Sequence, residues 1–148
     1  MELVVRAANV DEWDLLRALR LAALADAPEA FTSTLERERA MPEDEWRMRA
    51  GNSAIAWHGT EPAGIVGCVV IDGRAELVGM WVAPPARRAG TGRALVGWAL
   101  DRARTLGFDE LVLWVAGGND GAERLYRNCG FELTGVSSAH LRQMARRT

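Results

Sequence analysis

A glycine-rich turn at residues 87–92, Arg-Arg-Ala-Gly-Thr-Gly, has the residue types needed to hold an anionic ligand. It follows the strand-like run 76–82 and opens the helix-like run 93–106. The first N–H groups of a helix have no partner within the helix, and the helix dipole adds positive potential at that end. Gly90 and Gly92 lack Cβ atoms, so the backbone can close on phosphate oxygens. The turn therefore predicts a phosphate-binding site.

The residues around this turn extend the predicted site. Arg87 and Arg88 carry planar guanidinium donors suited to phosphate oxygens, although solvated surface charge is the alternative interpretation. Thr91 within the turn and Arg93 after it are assigned to the same site. A dinucleotide-binding domain is a rival interpretation of a Gly-x-Gly turn. It is disfavoured because Leu95 stands where that motif has its third glycine, and because the chain is short for a doubly wound domain.

A second pattern spans residues 119–131 and reads Asn-x-x-Ala-x-x-Leu-Tyr-x-x-Cys-Gly-Phe. Tyr126 is the only tyrosine of the chain and lies four residues after Ala122, so both fall on the same face of a helix. In this order and at this separation, the two patterns indicate a two-part site. Its ligand would carry a pyrophosphate and a reactive end.

The segment 76–131 resembles the GNAT superfamily of acyl-CoA-dependent N-acetyltransferases. The first motif of that family is Arg/Gln-x-x-Gly-x-Gly/Ala after a strand that ends Val-x-Pro, and the run 82–84 followed by the turn matches it. The second motif, Asn-x-x-Ala-x-x-Leu-Tyr-x-x-x-Gly-Phe, is matched at every named position of 119–131. The first half of the chain carries less of the signature. The resemblance implies the GNAT fold over 1–148 as a single domain.

The resemblance also implies an activity: transfer of acetyl from acetyl-CoA, as cosubstrate, to a primary amine by direct attack in a ternary complex. The backbone at Val82 and Ala83 would pair with the pantetheine arm, and an N–H near Val82 would stabilise the oxyanion. Tyr126 would protonate the departing thiolate, since the reference pKa of a phenol lies above that of a thiol. Asn119 would contact the cofactor or cap its helix, or do both, and Ala122 would lie beside the cofactor.

Glu76 begins the strand that leads to the turn. An amine is protonated at neutral pH, and a carboxylate here could take its proton, through water. Some members of the family carry a glutamate at this point and others use no such base, so a solvent-facing hairpin glutamate is an equal alternative. The acceptor would be a small-molecule or peptide amine, in a pocket shaped by the loop 27–41 and the closing hairpin. A non-catalytic acyl-CoA-binding sensor is the second hypothesis, although the intact Tyr126 favours the enzyme.

Composition narrows the class of protein. The chain has 148 residues, 49% of them hydrophobic, and a net charge of −2, which favours one globular domain and disfavours a nucleic-acid-binding protein. No apolar run approaches the ~20 residues of a membrane span, and no secretion signal is present, so we expect a cytoplasmic protein. Cys68 and Cys129 are expected to be reduced, and the isolated His58 and His140 indicate no metal site. The sequence does not decide whether the protein forms a homodimer.

Hydrophobic periodicity and turn residues predict an α/β (α+β) fold with the order βααβββαβαββ. The strands are expected at 3–7, 54–58, 63–72, 75–82 and 110–115, the helices at 10–25, 41–48, 92–106 and 120–129, and a closing hairpin at 131–135 and 141–145. Residues 30–35 are expected to be a loop. A strand, helix and strand over 76–115 form a βαβ unit, so its strands should be parallel within a mixed, mostly antiparallel sheet with helices on both faces. A bulge is expected near 79–81.

Overall fold

Seven strands form one mixed sheet in the computed structural model, which describes residues 2–148. The strands are β1 Leu3–Ala7, β2 Ser53–His58, β3 Glu61–Ile71, β4 Arg74–Val82, β5 Glu110–Ala116, β6 Glu132–Ser138 and β7 Leu141–Arg147. They lie in the order β1-β2-β3-β4-β5-β7-β6. All neighbours pair antiparallel except β4 and β5, which are parallel. The predicted mixed sheet and its closing hairpin are confirmed.

Five α-helices connect these strands. They are α1 Trp13–Asp26, α2 Leu35–Arg39, α3 Glu43–Ala50, α4 Thr91–Thr105 and α5 Asp120–Asn128. The short helix α2 adds one element to the predicted order. It begins at the N-cap Thr34, whose hydroxyl accepts a hydrogen bond from the backbone N–H of Arg37 at 3.1 Å. With 5 residues, α2 is too short to show a hydrophobic period.

The helices cover both faces of the sheet, and each face buries its own set of side chains. On the first face α4 and α5 pack against a cluster that includes Leu77, Leu95, Ala99, Leu111, Tyr126 and Met144. On the second face α1 and the end of α3 pack against a cluster that includes Leu16, Leu19, Ala50, Ile55, Ile65 and Trp81. The sheet therefore separates two hydrophobic clusters. Because side chains alternate along a strand, each side chain of β4 points toward one cluster or the other.

The two parallel strands separate soon after they meet. Registered pairing between β4 and β5 is limited to Ala75 with Leu111 and Glu76 with Val112. Beyond Glu76, the peptide groups of β4 that point toward β5 have no strand partner in this register. A gap therefore opens between the two strands toward the end of β4, where the glycine-rich turn begins.

A bulge in β4 accompanies this separation. Ile65 of β3 pairs with Trp81, whereas Gly67 pairs with Val78, so β4 carries one more residue than β3 between these pairs. Gly79 lies in this interval with φ +61°, a backbone conformation that side chains disfavour. The bulge expected near 79–81 is confirmed, and it turns β4 away from a regular ladder.

A buried ion-pair cluster joins α1, α2 and α3. The Glu38 side chain on α2 is only 1% exposed. Arg20 donates to its two oxygens from Nε at 2.8 Å and from Nη2 at 3.0 Å, and Arg49 donates from Nη1 at 2.8 Å. Burial raises the pKa of Glu38, but hydrogen bonds from Arg20 and Ser33 and the charge of Arg20 lower it more, to about 2. Glu38 is therefore ionised at neutral pH.

This cluster predicts a loss of stability in acid. Because the pKa of Glu38 in the folded protein lies below its ordinary value of 4.5, the carboxylate stabilises the fold above about pH 5 and loses this effect as the pH falls toward 2. The contribution is up to about 3 kcal/mol. In urea unfolding at several pH values, Glu38→Gln should lose less stability across this window than the wild type. Glu36→Gln, an exposed change on the same helix, should keep the wild-type profile. An unaltered acid profile in Glu38→Gln would contradict the assignment.

Candidate functional site

The glycine-rich turn leads into α4 without a side-chain cap. Gly90 at the N-cap has φ +81°, and Arg88 also lies in the left-handed region with φ +64°. No side chain in residues 2–148 caps the N–H groups of the first turn of α4. Arg88 and Arg93 form no ion pair with another residue of that range. Free backbone donors, the helix dipole and two unpaired guanidinium groups together suit an anion.

The two glycines of the turn have different surroundings. A Cβ atom on Gly90 would have no other heavy atom within 4 Å. A Cβ atom on Gly92 would lie 3.0 Å from Cδ2 of Leu125 and 3.3 Å from Cε of Met80. Gly90 thus faces open space outside the turn, whereas Gly92 lets α4 pack closely against α5 and β4.

Thr91 holds the turn to the body of the protein. Its side chain is buried, and its hydroxyl donates to the carbonyl of Ala86 at 3.0 Å. Nε2 of His58 lies 3.0 Å from the same hydroxyl. Because the hydroxyl proton is used on Ala86, His58 donates from Nε2 to the Thr91 oxygen. This contact joins β2 to the turn, and sequence reasoning missed it because nothing local links residues 58 and 91.

Arg87, unlike Arg88, forms an ion pair within residues 2–148. Its Nη2 lies 2.5 Å from Oδ2 of Asp26, and Nε1 of Trp81 donates to the same oxygen at 3.0 Å. The hydrogen bonds from Trp81 and Arg87 lower the pKa of Asp26. Asp26 thereby ties the end of α1 to the end of β4 and to the turn. Arg87 would have to leave Asp26 to give all its donors to a phosphate.

Some backbone groups at the end of β4 are already hydrogen-bonded within the protein. The carbonyl of Val82 accepts from Nε of Arg87 at 3.0 Å, and the N–H of Ala83 donates to the carbonyl of Ala63 at 2.8 Å. The groups of β4 that lack a strand partner therefore lie in the segment between Glu76 and these bonds.

The second sequence pattern forms the start and the body of α5. Asn119 is the N-cap, and its side chain accepts from the N–H of Ala122 at 3.3 Å, so the predicted cap is confirmed. Tyr126 is 7% exposed, and its ring stands edge-on to Phe131 with centroids 6.0 Å apart. Burial, and to a smaller extent Cys129, raises the pKa of the Tyr126 phenol. The hydroxyl therefore keeps its proton at neutral pH, as a proton donor must.

Glu76 occupies the last registered position before β4 and β5 separate. Its neighbours Ala75 and Leu77 belong to the cluster beneath α4, so Glu76 points to the opposite face of the sheet. Burial raises the pKa of the Glu76 carboxyl, while a hydrogen bond from Trp114 and the charge of Arg74 act in the opposite direction. A half-buried carboxylate with a raised pKa is a better base than an exposed one.

A cavity of about 340 Å³ lies on the same face as Glu76. Its walls come from α1, α3, β3 and β4, and two of its lining residues are Val78 and Gly79 of the bulge. Glu76 and Tyr126 thus lie on opposite faces of the sheet.

The structure of residues 2–148 contains neither a metal-binding cluster nor a membrane-spanning helix. No group of three or more His, Cys, Asp and Glu side chains is placed to hold a metal ion. None of its helices has the length and apolar character required to cross a membrane.

Similar proteins give an independent comparison. The acetyltransferase (GNAT) family matches residues 16–131. The chain is 34% identical over 122 residues to mycothiol acetyltransferase from Thermobispora bispora, and the match covers 77% of this chain and 41% of that protein. The fold matches a GNAT-family acetyltransferase from Streptococcus pneumoniae with a TM-score of 0.79, at 20% identity over 99% of both chains. It also matches PaiA N-acetyltransferase from Thermoplasma acidophilum in complex with coenzyme A, with a TM-score of 0.75 at 15% identity over 100% of both chains.

The family match spans most of the chain and contains both the glycine-rich turn and the helix that carries Tyr126. The two solved structures, at low identity, share the same fold. This protein therefore belongs to the acetyltransferase (GNAT) family.

Proposed function

We propose that this protein transfers the acetyl group of acetyl-CoA to a primary amine by direct attack within a ternary complex. The observation that carries the proposal is the gap that opens between β4 and β5 after Glu76. The uncapped start of α4 follows the end of β4, Tyr126 is buried on one face of the sheet, and Glu76 points to the other. In this proposal, the anion site, the proton donor and the proton acceptor act around one opening.

The proposed cosubstrate site begins at the open turn. The N–H groups at the start of α4, with Gly90, Thr91, Gly92 and Arg93, would hold the pyrophosphate, and Arg88 would add charge. The unpartnered peptide groups of β4 would bind the amides of the pantetheine arm as a strand would. This assignment is supported by the open space at Gly90 and by the absence of a side-chain cap on α4 within residues 2–148.

In the proposed reaction Glu76 takes a proton from the acceptor ammonium, directly or through water. The free amine attacks the thioester carbonyl, and a β4 backbone N–H near Val82 stabilises the oxyanion. The C–S bond then breaks, and Tyr126 donates its proton to the departing thiolate. The tetrahedral nitrogen loses its second proton to solvent, and no covalent bond to the enzyme forms.

A non-catalytic acyl-CoA-binding protein on the same scaffold would bind the cosubstrate without this chemistry. Such a protein would have no need of a buried phenol with a raised pKa beside the gap. Thiol release from acetyl-CoA with a panel of amines separates the two: an enzyme releases CoA in proportion to acetylated amine, and a sensor releases none.

Gly90→Ala tests the phosphate turn. The new methyl group would enter the open space that we assign to the pyrophosphate, and the left-handed backbone costs about 1–2 kcal/mol for a residue other than glycine. Isothermal titration calorimetry should show CoA affinity reduced by tenfold or more, on the order of one lost charge-assisted hydrogen bond. Gly107→Ala is the matched control, since it has φ +89° and equally open surroundings at the other end of α4. Equal CoA affinity in the two variants would refute the site.

Glu76→Gln tests the general base. The amide cannot take a proton, so kcat/KM should fall by roughly 10²–10⁴-fold at neutral pH. Because burial raises the pKa of Glu76, the wild-type rate should fall as the pH drops through a value above the ordinary 4.5, and the variant should lack that limb. Glu110→Gln removes an exposed carboxylate that pairs with Arg74, and it should retain activity. A pH–rate profile of Glu76→Gln superimposable on that of the wild type would assign the residue a structural role.

Tyr126→Phe tests the general acid. The ring and its contact with Phe131 remain, so acetyl-CoA affinity should barely change. Loss of the proton donor acts on the transition state, so kcat and kcat/KM should fall together by roughly 10²-fold or more. The loss should shrink with an acyl donor whose thiol has a lower pKa, because that thiolate leaves without a proton. A variant within about threefold of the wild type on acetyl-CoA would remove Tyr126 from the mechanism.

A further inference from the structure

We propose that the acceptor amine carries a carboxylate and an apolar side chain, and that Arg20 binds this carboxylate in the cavity between α1, α3 and the sheet. The proposal rests on the proposed function, because it takes this cavity as the acceptor side of the acetyl-transfer site. It specifies the class of acceptor: an apolar amino acid or a short peptide with a free carboxylate.

The cavity adjoins the gap through the bulge of β4. Gly79 has the positive φ of the bulge and also lines the cavity. Glu76 precedes it by three residues and points to the same face of the sheet. An acceptor in the cavity would therefore lie beside both the gap and the proposed base. The volume of about 340 Å³ suits an amino acid or a dipeptide rather than a large ligand.

Arg20 presents an unused donor to this cavity. Its Nε and Nη2 are bonded to Glu38, whereas its Nη1 is buried and has no partner in residues 2–148. Nη1 lies 3.6 Å from the position of a Cβ atom built on Gly79, so it points toward the bulge. The Cζ atom of Arg20 also lies over the ring of Phe31, 4.6 Å from its centroid, which is a cation–π contact. A buried N–H without an acceptor costs about 1–3 kcal/mol, and a ligand oxygen would remove that cost.

The charge of the cavity wall favours an anion. Arg20 and Arg49 are the charged residues among those that line it, and both contact the single carboxylate of Glu38. Two guanidinium groups facing one ionised carboxylate leave one net positive charge. No aspartate or glutamate lines the cavity. An anionic acceptor is attracted, and a polyamine is repelled.

Apart from Asn52 and Ser53, the rest of the wall is mostly apolar. It includes Leu16, Ile65, Val69 and Val78, and the indole of Trp46, whose N–H is also buried without a partner in the described chain. Apolar walls bind an apolar side chain, while the guanidinium group fixes the orientation of the carboxylate. Together they discriminate an apolar amino acid from both a polyamine and a sugar amine.

The experiment compares acceptors that differ only in the carboxylate. Initial rates of acetyl transfer are measured for L-leucine against L-leucinamide and for L-leucyl-L-alanine against its amide, with spermidine as the cationic comparison. Rates are referred to the unprotonated amine, because amidation lowers the amine pKa. We expect kcat/KM for the free acids to exceed that for the amides by about tenfold or more, the size of one charge-assisted hydrogen bond.

Variants assign this preference to Arg20. Arg20→Gln combined with Glu38→Gln removes the most buried pair together, and the guanidinium group left without its carboxylate is that of Arg49, whose side chain is 36% exposed. Arg49→Gln leaves the Arg20–Glu38 pair intact and removes the excess charge, which keeps the test open if the double variant does not fold. Arg17→Gln, on the same helix, removes a guanidinium group that bonds the Arg39 carbonyl, and it is the control. The first two should raise KM for the acids by about tenfold or more relative to KM for the amides, whereas a merely structural role would affect acids and amides alike.

Calorimetric titration of N-acetyl-L-leucine and N-acetyl-L-leucinamide into the CoA-bound protein gives a readout that needs no turnover. Acetylation of amines without a preference for acids would overturn this proposal and leave the proposed function standing. Absence of CoA binding and of thiol release would overturn the proposed function. If the proposed function fails in this way, binding of L-leucine that depends on Arg20 would still support the cavity as a carboxylate-binding site. Equal binding of N-acetyl-L-leucine and its amide would overturn the cavity assignment too.

Discussion

The site depends on the early end of the pairing between β4 and β5. A regular parallel ladder would satisfy the peptide groups of both strands and close the sheet, since buried backbone groups are almost always paired. Here the ladder stops at Glu76 and Val112, and the bulge at Gly79 turns β4 aside. About 20 Å of strand follows before β4 ends at Val82. In the proposed complex, the unpaired groups of this strand pair with the amides along the arm of the acyl donor, which is an extended partner of matching chemistry.

Two long-range contacts hold the loop beyond this gap. Asp26 accepts from both Trp81 and Arg87, and it thereby joins the end of α1 to the end of β4. Thr91 links the start of α4 to His58 on β2. The turn is therefore shaped by the protein before any ligand arrives. A preformed turn reduces the conformational entropy that binding would otherwise cost.

The sequence predicted the parts of the structure that local chemistry determines. The bulge near Gly79, the cap at Asn119 and the strand and helix periods all follow from residue types at short spacing. The missed features join residues far apart in the chain. Arg20 bonds Glu38 across 18 positions, and His58 meets Thr91 across 33. No periodicity marks such pairs, because the fold alone determines which polar side chains share a buried space. The helix α2, which carries Glu38, was missed for a related reason: a five-residue helix has no period.

The bulge connects the two halves of the proposed reaction through one residue. Gly79, with its positive φ, lies in the part of β4 that follows the last registered pair with β5, beside the gap proposed for the acyl donor. The same residue lines the cavity beside Arg20, whose Nη1 lies 3.6 Å from the position of a Cβ atom built on Gly79. A side chain here would strain the left-handed backbone of the bulge, and its Cβ atom would lie at van der Waals distance from the guanidinium group. A change at Gly79 would therefore affect both halves of the proposed site, because this residue belongs to the bulge beside the gap and also to the wall of the cavity.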